Sequence, residues 1–280
     1  MRVSSARHDA RRSRVGPPLR HRCRPRVAVP RILVTNDDGV EADGLLALAD
    51  ALTEVGEVTV VAPAEESSAV SHALTLRRPL CLTRVSESWY SVDGTPTDCI
   101  NLGVTDVLGG VPDLVVSGIN NGLNVGEDVT YSGTVGGAME GVLLGAPGIA
   151  VSLQRSDGPM DYGPAAEVAA RLAATVLNEG LPPHTLLNVN VPRGDHRGIR
   201  ATVQGRRTQA IAAMQAVRDA VKSMIWIGAA DLRWERETAS DYAAIQAGCV
   251  SVTPLHTNWT NHAALEATHA LALASLADIE

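Results

Sequence analysis

Five short runs rich in Val, Ile and Leu constrain this chain more than any other feature of its sequence. They are residues 31–36 (RILVTN), 57–62 (EVTVVA), 113–117 (DLVVS), 148–153 (GIAVSL) and 186–191 (LLNVNV). Each reads as a buried strand, and most end in a polar or glycine-rich cluster. Helical stretches separate them. In 43–55 the positions Leu45, Leu46, Leu48, Ala49 and Leu52 follow a helical period, with Asp43 as N-cap and Gly56 as the stop. Thr95 and Pro96 open a second helix that runs to about Leu108, a polar cap followed by Pro at the first helical position. Further helices are expected over 134–144 and 164–178. Strand alternating with helix predicts an α/β fold, a three-layer Rossmann-like arrangement around a mostly parallel sheet. The chain has no Phe, so Val, Leu, Ile and Ala must fill the interior, which suits strands covered on both faces.

The pattern loosens after Pro192. Residues 199–204 and 224–234 read as long strands or arms, with a helix over 208–221 between them. A late strand is expected over 249–253 and a terminal helix over 262–277. The expected organisation is an Arg-rich tail over 1–30 and one α/β domain over 31–280. Within that domain 31–192 is the core, and 193–280 is a smaller arm region for oligomerisation. Between the first core helices, an extended segment over 74–85 is expected to pair with 89–92.

The formal net charge is −7, unevenly spread. Residues 1–30 hold nine Arg and one Asp, a local balance of +8, so the remainder carries −15. An acidic body argues against a nucleic-acid surface on the folded domain. The tail has no apolar segment of the kind a secretory signal needs, and its composition reads as disordered. Its Arg content is not special to it, since Lys222 is the only Lys in the chain. Cys23, Cys81, Cys99 and Cys249 form no CxxC pair, and reduced thiols in a cytoplasmic protein are expected. No apolar run reaches membrane-spanning length.

In a sheet of this kind ligands bind beyond the carboxyl ends of the strands. Four loops meet that condition: 36–39, 63–72, 118–133 and 154–163. In the first, Asp37 and Asp38 sit beside Gly39, where a turn lets both carboxylates converge on one cation. Two anions so close repel unless a cation neutralises them, and hard oxygen donors favour Mg²⁺, Mn²⁺ or Ca²⁺ over zinc. The plainer reading of Asp-Asp-Gly is a turn with a helix cap. Ser67 and Ser68 in the second loop are weak ligands or helix caps. The third loop supplies Asn120 and Asn124 among glycines, then Tyr131, Ser132, Gly133 and Thr134 at the start of a helix. Hydroxyls and free N–H groups at a helix N-terminus suit a phosphate. A P-loop, a GxGxxG after the first strand, a GxSxG elbow and HExxH spacing are all missing from the sequence.

Taken together, ILVTNDDG, VVAPAEESSAVSHALTL, VDGTPTDC, DLVVSGINNGLNVG and YSGTVGGAMEG, in this order, resemble the SurE family of metal-dependent 5'-nucleotidases. The strong part of the match covers 31–153. The resemblance implies a Rossmann-like fold with a C-terminal arm used in homodimers or homotetramers. It implies hydrolysis of nucleoside 5'-monophosphates to nucleoside and phosphate at one divalent metal, Mg or Mn, with 3'-nucleotides and polyphosphate as further substrates to consider. By position in the motifs, the metal ligands are Asp37, Asp38, Ser68 and Asn120. Asp37 and Asp38 are then also the catalytic pair, and Asn124, Ser132, Gly133 and Thr134 bind the phosphate. Three other readings compete, one of which makes the Arg-rich tail over 1–30 an RNA-binding arm. An aspartyl-phosphate phosphatase would want a second Asp two positions after Asp37, where Gly39 stands, and a later Lys. A nucleotide sensor would bind without turnover.

Overall fold

The protein is described from a computed structural model. It covers residues 29–156, 158–208, 212–218, 223–228 and 234–277. Nearly all of the Arg-rich tail, with Cys23, lies outside these residues.

Nine strands form one sheet in the order β3-β4-β2-β1-β5-β6-β7-β11-β8. Its centre is β1 (Arg31–Thr35), flanked by β2 (Glu57–Pro63) and β5 (Leu114–Asn121), both parallel to it. The parallel run continues through β6 (Gly148–Leu153) to β7 (Thr185–Val191). On the other side, β4 (Trp89–Val92) pairs parallel with β2 and antiparallel with β3 (Leu82–Arg84). Beyond β7, β11 (Val250–His256) runs antiparallel to it and parallel to β8 (Ile199–Ala201).

Alternation along β1 explains the three layers. Ile32 and Val34 face one side, packed with Leu45, Leu48 and Leu52 of α1 (Asp43–Leu52) and with Ala165, Ala169 and Val176 of α4 (Gly163–Glu179). Leu33 faces the other, against Cys99 and Ile100 of α2 (Pro96–Leu102), with Val61 and Val115. The third helix, α3 (Gly133–Leu143), lies on this second face. Its small residues allow close approach: a Cβ on Gly141 would stand 2.6 Å from Val115 Cβ, and one on Gly137 2.8 Å from Thr35 Cγ2.

Several expectations need adjusting. Asp43 is the first helical residue, and Ala42 holds the cap position without a side-chain bond. Thr95 does cap α2, in a reciprocal box with Asp98, and a π-type turn (Gly103–Val107) carries the helix toward Leu108. Of the extended segment at 74–85, only Leu82–Arg84 is strand. Most consequential for the site, β5 does not stop at Ser117. Its register with β6 shifts between Ser117 and Asn120, then resumes at Asn120 and Asn121. Gly118 makes this possible. Its φ is +138°, and a Cβ there would lie 2.4 Å from the Val151 carbonyl oxygen. The segment expected to be all loop therefore begins as strand.

The helix expected over 208–221 is wrong. Within it, β9 (Ala212–Arg218) is a strand, paired antiparallel with β10 (Ser223–Gly228) in a separate two-stranded sheet. The run AAMQAVR has good helix formers, but cross-strand pairing overrides a weak local preference. The remaining elements are α5 (Asp241–Gln246), a short 3₁₀ turn (His262–Ala264) and α6 (Leu265–Ala277). Among the described residues no helix is long and apolar enough to cross a membrane.

Candidate active site

The order of strands reverses around β1: β2 lies on one side and β5 on the other. A crevice opens beyond the carboxyl ends at such a switch point, and here the ends of β1 and β5 carry Asp37, Asp38, Asn120 and Asn121. Asn36 shapes the first turn, donating from Nδ2 to the Gly39 carbonyl at 2.8 Å.

Asp37 is buried, 4% exposed. Both its oxygens are held by the first turn of α3: the Thr134 hydroxyl donates to Oδ1 at 2.5 Å and the Thr134 N–H to Oδ2 at 3.1 Å. Ser132 caps that helix by accepting from the Val135 N–H at 3.1 Å. The dipole of α3 thus ends on a carboxylate. Gly133 lets the helix come this near, since a Cβ there would stand 3.0 Å from both Asp37 Cβ and Oδ2. Asp38 accepts from the Asn121 N–H at 3.1 Å.

Burial pushes the Asp37 carboxyl up to about 6; neighbouring Asp38 adds to this, and the Thr134 hydrogen bonds oppose it. Asp38 is also raised, by burial first and then by Glu66, against the Asn121 N–H and Arg155. The site therefore disfavours its own two negative charges.

The loop after β2 brings Ser68 to the same place. The Ser67 N–H donates to the Asp37 carbonyl at 2.7 Å. The Ser68 hydroxyl donates to Glu66 Oε1 at 2.6 Å. Ala69 and Ser71 are both left-handed, with φ of 58° and 56°. Such strain in non-glycine residues clusters at functional sites. Ser71 docks the loop, its N–H on the Tyr131 carbonyl and its hydroxyl on that of Thr130.

One cavity of about 360 Å³ joins these parts. Asp37, Asp38, Ser68, Asn120, Asn124, Ser132 and Arg155 are among its lining residues. All four expected metal ligands are brought together there, with two of the four expected phosphate-binding residues. Gly133 and Thr134 are not in the lining; they stand behind Asp37, and both donors of Thr134 are spent on it.

Reasoning from sequence missed three things. Asn188 and Asn190, at alternate positions of β7, are buried and grip the Asn124 backbone. Asn190 Oδ1 accepts from the Asn124 N–H, and both side-chain amides donate to the Asn124 carbonyl. The signal was polar residues on one face of an otherwise apolar strand. Asp241, fully buried, accepts from the N–H groups of Gly126, Gly205 and Tyr242. Arg155 stands two residues past β6 in a loop singled out only for its position.

The donor set fits a hard divalent cation. Asn120 Nδ2 donates to the Gly122 carbonyl at 2.8 Å, which leaves Oδ1, the end suited to a cation, without a partner among the described residues. Asn121 Oδ1 is buried and has no hydrogen-bond partner among the described residues. Among the described residues no three His, Cys, Asp or Glu side chains gather as a metal cluster. A cation here would rest on two carboxylates and neutral oxygens, the chemistry of Mg²⁺ or Mn²⁺.

The model of the survival protein SurE family matches residues 32–211. The chain belongs to the SurE family. A 5'-nucleotidase SurE from Geotalea daltonii is 52% identical over 235 residues, covering 83% of this chain and 95% of the relative. One from Geobacter sulfurreducens is 49% identical over 237 residues, covering 84% and 90%. The crystal structure of a SurE protein from Aquifex aeolicus superposes with a TM-score of 0.79 at 43% identity, covering 87% of this chain and all of that one. The SurE likeness thus extends well past the motif-rich first half.

Proposed function

We propose that this chain is a 5'-nucleotidase, a divalent-metal-dependent phosphomonoesterase that converts nucleoside 5'-monophosphates to nucleoside and phosphate. The observation that carries this reading is the convergence of Asp37, Asp38, Ser68 and Asn120 on one cavity, in a chain whose relatives bear the name 5'-nucleotidase SurE.

In this reading Asp37, Asp38, Ser68 and Asn120 hold the metal, Mg²⁺ or Mn²⁺. When bound, the cation supplies Lewis-acid polarisation of a phosphoryl oxygen and a lowered pKa for water. The protein supplies position. Thr134 fixes both oxygens of Asp37, so that residue is a ligand held in place and not a free attacking group. That arrangement, with Gly39 where a second Asp would be needed, speaks against a phospho-aspartate route. Ser132 at the start of α3, with Asn124 on the cavity wall, receives the phosphate, while Gly133 serves it only by letting α3 approach Asp37. Thr134 serves the phosphate site indirectly, by holding Asp37 beside it.

The remaining parts of the reading concern setting. A homodimer or homotetramer assembled through 193–280 and a cytoplasmic location are proposed with it. Trp259 and Leu265 in that region are 76% and 52% exposed.

The test is release of inorganic phosphate from a panel of 5'- and 3'-nucleotides and polyphosphate, with Mg²⁺ or Mn²⁺ added. The expected result is metal-dependent turnover of AMP or another 5'-monophosphate, abolished in Asp37→Asn. Tight nucleotide binding without turnover would make the protein a sensor instead.

A further inference from the structure

Arg155 carries the inference. Its Nε donates to the Asn121 carbonyl at 2.7 Å, and the N–H of the same residue donates to Asp38. Arg155 is thereby tied to the residue that braces one carboxylate of the candidate active site. The guanidinium lies against Gly122: a Cβ there would sit 3.5 Å from Nε and 4.0 Å from Cζ, ordinary contact distances. With Nε occupied, the two terminal nitrogens have no hydrogen bond or ion pair among the described residues.

Charge makes this unusual. The cavity's charged lining residues are Asp37, Asp38, Asp128 and Arg155, so Arg155 is its one basic group among the described residues. Asp128 is already paired with Arg207. Arg155 is therefore a cation without an ion-pair partner among the described residues, anchored through Nε at one edge and close enough to Asp38 to favour its charge, facing a cavity with two carboxylates that need a divalent metal. Once such a metal neutralises Asp37 and Asp38, the site has no positive charge left to meet a phosphomonoester dianion except that of Arg155.

We propose that Arg155 is a substrate-binding residue of this site, which grips the non-bridging oxygens of the phosphate through its two terminal nitrogens. The planar guanidinium presents paired donors that match phosphate geometry, and an ammonium does not. The inference rests on the nucleotidase reading for its substrate, but the phosphate site can be measured without turnover.

The variants are Arg155→Gln and Arg155→Lys in the full chain. Binding of inorganic phosphate to the Mn²⁺-loaded protein is measured by calorimetry, beside KM and kcat for AMP, Mn²⁺ affinity and thermal midpoint. Arg155→Gln is expected to weaken phosphate binding about tenfold or more, the size of a charge-assisted hydrogen bond, and to raise KM for AMP by a similar factor. Arg155→Lys should recover only part of this. Mn²⁺ affinity and thermal midpoint should hold. Unchanged phosphate affinity in Arg155→Gln overturns the inference. So does loss of Mn²⁺ affinity with phosphate binding intact, which would make Arg155 a brace for Asn121 and Asp38. A wild-type protein that binds phosphate through Arg155 but turns over no nucleotide would sink the nucleotidase reading and leave this inference standing.

Discussion

The Thr134 hydroxyl stands 2.5 Å from Asp37 Oδ1, and its backbone N–H 3.1 Å from Oδ2. One residue at a helix start thus fixes the position of a carboxylate at the end of the central strand and opposes the rise that burial imposes on it. Thr134→Val keeps the shape and removes the hydroxyl. It should weaken Mn²⁺ binding about tenfold or more, since hydrogen bonds to charged groups are worth roughly 1.5–3 kcal/mol. Thr134→Ser should retain most of the affinity. Calorimetric Mn²⁺ titration of both variants decides it; equal losses in the two would show that the hydroxyl is not what matters.

The Asp37 carboxyl is raised from 3.8 to about 6 by burial in the metal-free protein. The unfolded chain ionises more readily than the folded one, so the sign is destabilising. The cost is nil below about pH 4, grows as pH climbs toward 6 and is constant above. It amounts to about 3 kcal/mol at most. In EDTA, Asp37→Asn should therefore be more stable than wild type at pH 7.5, with the gap closing near pH 4. Denaturant midpoints at the two pH values provide the check. Metal binding must displace the proton, so Mn²⁺ affinity should fall as pH drops through 6.

Gly133 leaves little room for a side chain beside Asp37. In Gly133→Ala the new methyl would press on Asp37 Cβ and Oδ2 at 3.0 Å and on Val70 at 3.2 Å. Overpacking of this kind costs about 1–3 kcal/mol, and here the displaced group is the proposed ligand. A drop of about tenfold or more in kcat/KM is expected, with a lower thermal midpoint. Full activity would mean that Asp37 tolerates displacement.

Asn190→Ala would remove both a donor and an acceptor from the buried Asn124 backbone. Unsatisfied buried groups cost about 1–3 kcal/mol. The variant should melt earlier and bind phosphate more weakly, because Asn124 lines the cavity. Paired melting curves and phosphate calorimetry test the two halves separately.

Much of this was legible in the chain. The core strands announce themselves as Val/Ile/Leu runs because both faces of a parallel sheet are buried, and the rule that ligands lie past their carboxyl ends picked out the loops that converge. Other features depend on which strands become neighbours, which no local pattern states. Arg155 gains its meaning only because β6 lies beside β5, so that it reaches Asn121. Asn120 and Asn121 looked like loop residues because the register shift that keeps them in β5 depends on Val151 of the adjacent strand. The 208–221 stretch looked helical because its residues are good helix formers, while its pairing partner lies further along the chain.

Asp241 has a consequence for how the protein is made. Its carboxylate holds the N–H of Gly126, 115 positions earlier in the chain, at the start of the turn that leads to Ser132 and α3. A ribosome that has finished the parallel strands through Val191 has therefore not finished the candidate active site. Asn188 and Asn190 already hold Asn124, but the turn from Gly126 to Tyr131 stays without its Asp241 clamp until the last fifth of the polypeptide emerges. A prematurely terminated product would keep Asp37 and Asp38 while lacking the support that holds the opposite wall in place.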